Sequence, residues 1–236
     1  FIMKMSIAIP TWESEGRGNE FLDDLFRTIE IQTFKDYEVV VSDHSKNDNL
    51  LEVVNQFKDK FKIIYLKNEN DRGNGPANTN NAMAHCSGDI IKVMFQDDFF
   101  YDDEALEKIY NEFETSDKKW LLNGCNHTQD DGNSFYWEMF PRWNDKILEG
   151  VNTISSPSVL SVRKECFEKV KFDESLVMMM DCDCYYNHKE NFGDPIYLND
   201  VLISNRVHEN QLSLLYDQNN LQKEVDYCID KYSKLY

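Results

Sequence analysis

Short apolar runs punctuate the first hundred residues of this chain, and more polar, amphipathic stretches separate them. Each run predicts a buried strand, because a strand covered on both faces of a sheet needs apolar side chains on both sides. The runs lie at residues 4–10, 37–41, 62–66 and within 88–100. The intervening stretches predict helices at residues 19–33, 48–60 and 77–85. This alternation predicts an α/β fold with a doubly wound, mostly parallel sheet flanked by helices and a Rossmann-like N-terminal half.

Two local signals set the expected boundaries of the first elements. Pro10 lacks a backbone N–H, so we expect it to end the first strand. Asn19 is a residue type that favours the first position before a helix, so we expect it to cap the first helix.

Beyond residue 100 the pattern predicts a less regular second half. Helices are expected at residues 102–114, 163–170, 181–191 and 219–236, and strands at 120–124, 154–162, 195–198 and 201–207. The polar segment 127–144 contains an aromatic cluster formed by Phe135, Tyr136, Trp137, Phe140 and Trp143. We interpret this cluster as a hairpin packed on the core, with a stacking platform for sugar rings as the alternative. In the last helix, one apolar stripe is expected to cover the core, formed by Leu221, Val225, Cys228, Ile229 and Tyr232.

The fourth apolar run, within Gly88 to Phe100, ends in two adjacent carboxylates, Asp97 and Asp98. Like charges resist burial side by side, so this pair predicts a solvated position, basic partners or a bound cation. In open α/β sheets, ligands bind beyond the carboxyl ends of the strands, which is where the pair would lie. The alternative is a solvated loop in which Asp98 only caps the following helix.

Composition narrows the class of protein. The chain has 236 residues, of which 41% are hydrophobic and 13% aromatic, and this is enough to build one globular domain. The formal net charge of −18 argues against a nucleic-acid partner, because binding phosphates requires a basic face and no Lys/Arg cluster is present. An anionic small ligand would therefore need a metal ion or a few well-placed cations.

Cysteine usage and hydropathy indicate the expected compartment. Six cysteines form no C-x-x-C pair, and we interpret them as free thiols rather than disulfides. No apolar segment is long enough to span a membrane, and the first residues lack the pattern of a signal peptide. We therefore expect a cytoplasmic protein.

Polar groups follow each of the four N-terminal runs, and right-handed crossovers would place them along one edge of the sheet. They are Pro10-Thr11, Asp43-His44-Ser45, Arg72-Gly73-Asn74-Gly75 and Gln96-Asp97-Asp98. Downstream follow Phe172-Asp173-Glu174, Asp181-Cys182-Asp183 and the segment from Asn205 to Ser213, which contains Arg206 and His208. In this order the motifs resemble glycosyltransferase family 2, whose members are inverting, nucleotide-sugar-dependent enzymes with a GT-A fold. The similarity covers residues 4–213.

The resemblance implies a divalent cation, Mn²⁺ or Mg²⁺, that would stabilise negative charge on the leaving nucleoside diphosphate. By this analogy Asp98 is the direct metal ligand, and His208 is a further ligand to the metal or the diphosphate. Asp97 would lie nearer the ribose or sugar hydroxyls. Gln96 stands where many relatives carry the first aspartate of a D-x-D motif, which leaves a weaker or water-mediated cation site open.

The same resemblance implies a nucleotide pocket at the ends of the N-terminal strands. The donor-binding residues are predicted to be Pro10, Thr11, Glu13, Asp43, Arg72, Asn78 and Asp97. Among them, Asp43 would hydrogen-bond the nucleobase. Arg72 would pair with a base edge or a phosphate, or would remain a solvated loop residue. The expected donor is a UDP-sugar.

Direct displacement with inversion at the anomeric carbon needs a base that accepts the proton of the attacking hydroxyl. Asp181 matches the base position of the family, and Asp183 is the alternative. Met180 replaces the acidic residue that usually precedes the base. Asp181 would otherwise serve as an N-cap of the following helix. Residues 155–158 and the aromatic cluster would border the acceptor pocket.

The leading hypothesis is a single-domain, metal-assisted inverting glycosyltransferase that uses a hydroxyl of a glycan or other acceptor. Residues 4–100 would bind the nucleotide sugar, residues 101–213 would hold the acceptor and the base, and residues 214–236 would form a C-terminal helix. The alternative is a non-catalytic module that binds a nucleotide sugar or a divalent cation, which Gln96 and Met180 favour. A sugar-nucleotide pyrophosphorylase is disfavoured, because residues 10–13 do not form a glycine-rich loop.

Overall fold

The computed structural model describes residues 4–209, 211 and 216–233. The strands are β1 (Met5–Thr11), β2 (Tyr37–Asp43), β3 (Lys62–Lys67), β4 (Ile90–Val93), β5 (Phe99–Phe100), β6 (Trp120–Thr128), β7 (Tyr136–Met139), β8 (Leu160–Arg163) and β9 (Ile196–Arg206). The helices are α1 (Gly18–Glu30), α2 (Asn49–Phe57), α3 (Gly75–Ala84), α4 (Ala105–Glu114), α5 (Lys164–Lys169), α6 (Met180–Phe192) and α7 (Gln218–Ser233). Short 3-10 turns lie at Ser14–Gly16, Ile147–Glu149 and Pro157–Val159.

The strands of the described residues form one mixed sheet in the order β3-β2-β1-β4-β8-β6-β9-β5, with β7 paired to β6 outside this path. The first four strands are parallel to one another, which confirms the doubly wound N-terminal half predicted from the sequence. Thr11 lies opposite Asp43, and Asp43 lies opposite Lys67. The carboxyl ends of β1, β2 and β3 therefore meet at one edge.

The first strand continues through Pro10 and Thr11, so the expectation that Pro10 ends it is wrong. The physical reason lies in the pairing of β1. Its partner β4 follows it only as far as Ala8, opposite Val93, whereas β2 follows it to Thr11. Past Ala8 the strand has only one neighbour, and proline is tolerated where a strand behaves as an edge.

The second half of the sheet is mixed. β8 is antiparallel to β4 and β6, and β9 is parallel to β6 and antiparallel to β5. The two strands expected at 195–198 and 201–207 are one long strand with an irregularity opposite Gly124. A Cβ at Gly124 would lie only 2.8 Å from the carbonyl oxygen of Asp200, so glycine permits the close approach of the two backbones there.

The core lies between the sheet and its helices. The predicted inward face of α1 is confirmed, because its apolar residues Phe21, Leu22, Leu25, Phe26 and Ile29 are buried. Burying one such side chain contributes about 1.5–3 kcal/mol. The six cysteines are free thiols and all are buried, as expected.

Several predicted details are wrong. α1 begins at Gly18 after Arg17, without a side-chain cap, so Asn19 is not its N-cap. The helix after the acid pair begins only at Ala105, and the short strand β5 intervenes, so Asp98 does not cap it.

The hairpin of β6 and β7 is present, but its aromatic side chains do not pack in the core. Phe135, Tyr136, Trp137 and Phe140 are exposed, and Trp137 keeps 65% of its surface in solvent. In α7 the stripe is buried at Val225, Cys228 and Tyr232, whereas Ile229 is exposed. Residues 234–236 of the predicted terminal helix lie outside the described residues.

Candidate active site

Gln96, which stands in the first position of the acidic motif, is buried and bonded to backbone. Its Oε1 accepts the backbone N–H of Trp12 at 2.6 Å, and its Nε2 donates to the carbonyl of Trp12 at 2.8 Å and to Ser14 Oγ at 2.7 Å. A carboxylate cannot donate those two bonds, so the amide is the group that this environment requires. Gln96 therefore fixes the loop after β1 against the end of β4.

Asp98 is almost completely buried, and both of its oxygens accept hydrogen bonds. Oδ2 accepts from Ser158 Oγ at 2.5 Å and from Ser156 Oγ at 3.3 Å, and Oδ1 accepts the backbone N–H of Arg206 at 3.1 Å. Burial, with the charge of Asp97 beside it, raises the pKa of Asp98 above its usual range. Oδ1 keeps one lone pair, but the side chain is only 5% exposed, so a cation would reach it only after its surroundings rearrange.

Arg206 holds the backbone around the acid pair. Its Nε donates to the carbonyl of Asp97 at 3.0 Å, and its Nη atoms form ion pairs with Asp131 at 2.6 Å and Asp24 at 3.0 Å. Only 2% of its side chain is exposed, and its guanidinium lies 4.7 Å from the ring centroid of Phe21. A guanidinium buried among carboxylates and an aromatic face is well compensated, so Arg206 is a fixed support for this loop.

Asp97 and His208 form the accessible acid and imidazole pair. Asp97 Oδ2 lies 3.3 Å from His208 Nε2, and the Asp97 side chain keeps 30% of its surface exposed. Two ligands bound at about 2.1 Å and at right angles would lie about 3 Å apart, so the pair fits two positions around Mg²⁺ or Mn²⁺. No cluster of three or more His, Cys, Asp or Glu side chains with the arrangement of a metal site occurs among residues 4–209, 211 and 216–233. Waters and phosphate oxygens would have to supply the other ligands.

Asp43 lies at the end of β2 with its carboxylate fully occupied. Oδ1 accepts the backbone N–H of Ser45 at 2.8 Å, and Oδ2 accepts from Tyr65 Oη at 2.6 Å and faces Lys67 Nζ at 3.4 Å. Thr11 Oγ1 lies 3.5 Å from Oδ1. The residue has no exposed surface, so a nucleobase would have to replace one of these donors.

Asn78 ties the ends of two strands together. Its Nδ2 donates to the carbonyls of Thr11 at 3.1 Å and Ser42 at 2.9 Å, while its Oδ1 accepts from Ser42 Oγ at 2.7 Å and Asn68 Nδ2 at 3.2 Å. All of its hydrogen-bonding capacity is directed inward. Asn78 shapes the floor of this edge and presents no free polar atom to a ligand.

The other predicted donor-binding residues lie nearer to solvent. Pro10 is half-buried at the end of β1, and Glu13 accepts the backbone N–H of Lys46 at 3.2 Å. Arg72 pairs with Glu69 at 3.1 Å within its own loop and does not contact the acid pair. The structure therefore brings Pro10, Thr11 and Asp43 together and leaves Arg72 on the exposed loop before α3.

Asp181 lies in the first turn of α6 and is not its N-cap, which is Met179. Its Oδ2 accepts from Asn152 Nδ2 at 2.8 Å, and its Oδ1 accepts the backbone N–H of Cys182 at 2.7 Å. Desolvation by the surrounding protein raises the pKa of Asp181 to about 6. A carboxylate with a pKa near 6 is a stronger base than an exposed aspartate and is still ionised at neutral pH.

Asp183, the alternative base, is enclosed. It has no exposed surface, and its oxygens accept from Lys231 Nζ at 2.8 and 2.9 Å and from Tyr232 Oη at 3.0 Å. An attacking hydroxyl has no access to this carboxylate. The geometry therefore separates the two acids of the motif into a half-buried Asp181 and a fully buried, structural Asp183.

Residues 152–158, here named the bridging segment, connect Asp181 to Asp98. Asn152 Nδ2 donates to Asp181 and to the carbonyl of Ser155, and the side chain of Asn205 bonds Ser155 Oγ at 2.8 Å and Ser156 Oγ at 2.8 Å. Ser156 in turn reaches Asp98. Ser155 has a φ of 118°, which is unfavourable for a residue with a side chain. A strained residue held by this many bonds indicates a segment with one enforced conformation.

Several residues that support the site have roles that the sequence did not indicate. Ser158 donates its hydroxyl to Asp98 and accepts through its carbonyl from Lys92, a lysine buried in the middle of β4 that also donates to Asn123 at 3.0 Å. Burial lowers the pKa of Lys92 to about 7. A lysine within an apolar run was the one available signal. Residues 155–158 were predicted only to border the acceptor pocket and Asn205 only to begin the closing segment, and nothing in the sequence indicated that they bond to one another and to Asp98.

Part of the closing motif cannot be compared with expectation. Asn210 and Leu212–Ser213 lie outside the described residues, so the serine of that segment has no structural account. No helix of the described ranges combines the length and the apolar character needed to cross a bilayer.

The sheet order, with its carboxyl-end acids, is that of a GT-A-like α/β fold. Residues 6–171 match the model of Glycosyl transferase family 2, which is more than half of the chain. The chain therefore belongs to glycosyl transferase family 2.

Similar proteins agree with this family. A poly(ribitol-phosphate) beta-glucosyltransferase from Bacillus spizizenii is 33% identical over 46% of this chain and 17% of its own length. A GalNAc(5)-diNAcBac-PP-undecaprenol beta-1,3-glucosyltransferase from Campylobacter jejuni is 32% identical over 40% of this chain and 30% of its own length. This chain thus matches less than a third of the length of either relative.

A solved structure, Staphylococcus aureus TarS 1–349 in complex with UDP-GlcNAc, superimposes with a TM-score of 0.71 at 20% identity. The alignment covers 94% of this chain and 64% of that one. A mannosyltransferase from Pyrobaculum calidifontis in complex with GDP-Man and Mn²⁺ superimposes with a TM-score of 0.62 at 14% identity, covering 89% of this chain and 59% of that one. At these identities the likeness shows the fold.

Proposed function

We propose that this chain is an inverting glycosyltransferase that moves a sugar from a nucleotide donor to a hydroxyl of a glycan or other acceptor. The observation that carries the proposal is a continuous chain of hydrogen bonds that joins two acidic centres, one at the sheet edge and one at the start of α6. The accessible pair of Asp97 and His208 is linked, through Asp98 and the bridging segment, to Asp181. One acid can serve the leaving group and the other the attacking group.

The expected donor is a UDP-sugar, bound along the carboxyl ends of β1, β2 and β4. The complexes of TarS with UDP and UDP-GlcNAc support this donor class. Pro10, Thr11 and Glu13 would border the base and ribose, and Asp43 would contact the base by exchanging one internal donor. Arg72 would have to leave Glu69 to reach a phosphate, and Asn78 would act through the backbone of Thr11.

A divalent cation, Mn²⁺ or Mg²⁺, would be held by Asp97 and His208, with Asp98 as the further candidate ligand. When bound, it supplies a Lewis acid that stabilises negative charge on the departing diphosphate. The protein's own contribution is to fix these ligands. Arg206 holds the backbone of Asp97, and Ser158 holds the carboxylate of Asp98.

Asp181 would accept the proton of the acceptor hydroxyl as its oxygen attacks the anomeric carbon, while the bond to the nucleotide breaks on the opposite face. The hydrogen bond from Asn152 occupies one lone pair of Oδ2 and leaves the other available to that proton. A single displacement of the nucleotide by the acceptor hydroxyl, assisted by one base, predicts inversion at the anomeric carbon.

The exposed hairpin is the candidate acceptor surface. Trp137 stacks on His127 with ring centroids 4.9 Å apart, and Tyr136 lies beside them. Exposed aromatic faces suit the apolar faces of sugar rings. In the proposed division of the chain, residues 4–100 bind the donor, and residues 101–213 bind the acceptor and carry the base.

A cytoplasmic location stays a prediction.

The second candidate is a non-catalytic module that binds a nucleotide sugar. The specific observation in its favour is the bonding of Gln96 and Asp98, which turns two of the three acidic-motif positions toward the protein interior. The two functions differ in turnover, since only an enzyme releases nucleotide.

The test combines binding and turnover. Melting temperature is measured with UDP, UDP-glucose, UDP-GlcNAc and GDP-mannose in the presence of Mn²⁺, and UDP release is then followed with a panel of p-nitrophenyl glycosides as acceptors, with and without EDTA. Metal-dependent UDP release that increases with acceptor supports the enzyme. Nucleotide-induced stabilisation without UDP release across the panel supports the module. If neither stabilisation nor release is observed, both functions are refuted.

A further inference from the structure

The terminal helix α7 contacts the segment that carries Asp181 through a buried carboxylate. Glu224 is only 8% exposed and accepts three consecutive backbone N–H groups, those of Val177 at 3.1 Å, Met178 at 2.9 Å and Met179 at 2.9 Å. These amides immediately precede α6, whose N-cap residue makes no side-chain bond. Free N–H groups at a helix start need acceptors and favour a negative charge. A residue more than forty positions away in sequence therefore holds the segment that leads into α6, including the N–H of its N-cap residue Met179.

A second contact fixes the same segment from the other end of α7. Lys231 Nζ lies 2.8 Å from Asp173 Oδ2 and 2.8 Å from Asp183 Oδ1, and so bridges residues on both sides of the α6 start. Two hydroxyls complete the arrangement, from Tyr227 to Asp173 at 2.9 Å and from Tyr232 to Asp183 at 3.0 Å. Because Asp183 is fully buried, its charge depends on these partners.

α7 also packs against the approach to the bridging segment. Val225 is buried beside Gly150, where a Cβ would lie 3.7 Å from its methyl group, and the turn Ile147–Glu149 contacts both α6 and α7. Asn152, which donates to Asp181, lies three residues after the end of this turn. Both segments that hold Asp181 therefore contact the same helix.

We infer that Glu224 and Lys231 are positioning residues for Asp181, and that α7 sets the place of its carboxylate by fixing the first turn of α6. The inference rests on the proposed function. A displacement of about 1 Å at a reacting group can reduce a rate roughly 100-fold, so a helix that fixes the α6 start matters to catalysis without contacting substrate. The donor edge at β1, β2 and β4 makes no use of these contacts.

The test compares Glu224→Ala, Glu224→Gln and Lys231→Met with controls on the same helix. The controls are Gln222→Ala and Lys223→Met, whose side chains bond only within α7. We expect acceptor-dependent UDP release from UDP-glucose to fall roughly 10- to 100-fold in kcat for Glu224→Ala and Lys231→Met, with the KM for UDP-glucose within about twofold. Glu224→Gln keeps one acceptor oxygen and should retain more activity than Glu224→Ala. The controls should match the unmodified chain.

A second readout separates positioning from general stability. Hydrogen exchange, followed by mass spectrometry well below the melting temperature, should increase at residues 177–183 in Glu224→Ala and stay unchanged in β1, β2 and β4. Lower melting temperature with normal kcat would overturn the inference, as would a uniform rise in exchange. If Asp181→Asn is inactive while the Glu224 and Lys231 variants turn over normally, only the positioning inference fails. Normal turnover by Asp181→Asn, or no transfer by the unmodified chain, would refute the proposed function itself.

Discussion

The two acidic centres of this molecule are held in different ways. The rim site (Asp97, Asp98, Arg206 and His208) is held by groups that lie in the sheet or next to one of its strands. Arg206 is the last residue of β9, and Ser158 lies in the short turn before β8. The base segment (residues 173–183) has its polar support from α7, outside the sheet. The comparison teaches that the proposed leaving-group side is held by the sheet, whereas the proposed attacking-group side depends on α7, a helix that comes later in the chain.

The largest expected effect concerns the ligands of the rim site. We expect Asp97→Asn to reduce Mn²⁺-dependent UDP affinity strongly and UDP release about 1,000-fold, because losing a cation ligand removes several kcal/mol of stabilisation. His208→Ala should act in the same direction with a smaller effect. The measurement is UDP binding by calorimetry with Mn²⁺ and with EDTA.

Asp98→Asn is the matched comparison, because it changes the adjacent buried acid. Its carboxylate is enclosed by Ser158, Ser156 and the backbone of Arg206, so we expect a loss of stability with cation affinity retained. The opposite order, with Asp98→Asn abolishing Mn²⁺-dependent binding and Asp97→Asn retaining it, would restore Asp98 as the direct ligand that the sequence resemblance implies.

At the base segment, Asp181→Asn should keep donor binding and lose about 1,000-fold in transfer, within the range of general-base contributions. In the unmodified chain, kcat should fall below pH about 6, because the raised pKa of Asp181 makes the carboxylate protonated there. The measurement is acceptor-dependent UDP release between pH 5 and 8. A pH-independent kcat over this range would exclude Asp181 as the base.

Stability gives an independent check on the same carboxylate. A folded-state pKa raised above the model-peptide value means that the folded chain binds more protons than the unfolded chain between pH about 4 and 6. The contribution of Asp181 therefore lowers stability as pH rises through this window, and the cost persists at neutral pH. Asp181→Asn lacks this cost, so its melting temperature relative to the unmodified chain should be higher at pH 7.5 than at pH 4.

A substitution at Gln96 tests whether the rim site binds its cation less tightly than a site with a third carboxylate would. Gln96→Glu restores a carboxylate but cannot donate to the Trp12 carbonyl or to Ser14 Oγ. We expect a loss of about 2 kcal/mol in the free energy of unfolding, the cost of leaving buried acceptors unpaired, and no gain in Mn²⁺ affinity. Urea titration with the exposed Gln56→Glu as control measures the first effect. Tighter Mn²⁺ binding would contradict this explanation of Gln96.

The sequence predicted the position of the rim site better than the contacts of the base segment. Apolar runs ending in polar residues predicted the parallel half and the edge where Thr11, Asp43 and Asp97 lie, because buried strands and their ends leave a direct pattern. The pattern did not predict the partners of those residues. On the sequence alone, Gln96 indicates a weaker cation site. Its structural role is not predictable from its neighbours, because the bonds to Trp12 involve a loop more than eighty positions away.

The base segment was harder to anticipate for a physical reason. Its motif indicated Asp181 as the base with Asp183 as the alternative, and the contacts of Asp183 with Lys231 and Tyr232 are what exclude the alternative. The long-range bonds of Glu224 to the segment before α6 leave no local signal, since an acid on an amphipathic helix usually faces solvent. Contacts between residues that are far apart in sequence leave no pattern in the spacing of residue types.

The smallest expected effect lies in the bridging segment that joins the two centres. Ser155 has a φ of 118°, which strains its backbone. Its hydroxyl oxygen accepts from Asn205 Nδ2 at 2.8 Å and from Cys125 Sγ at 3.3 Å. Ser155→Gly relieves the backbone strain and loses these bonds, whereas Ser155→Ala loses the bonds and keeps the strain, so Gly should exceed Ala by about 1 kcal/mol in the free energy of unfolding. Equal stability of the two variants would mean that the backbone there is unstrained. If Gly is the more stable but the less active of the two, the strain itself serves to hold Asp181 and Asp98 in one fixed relation.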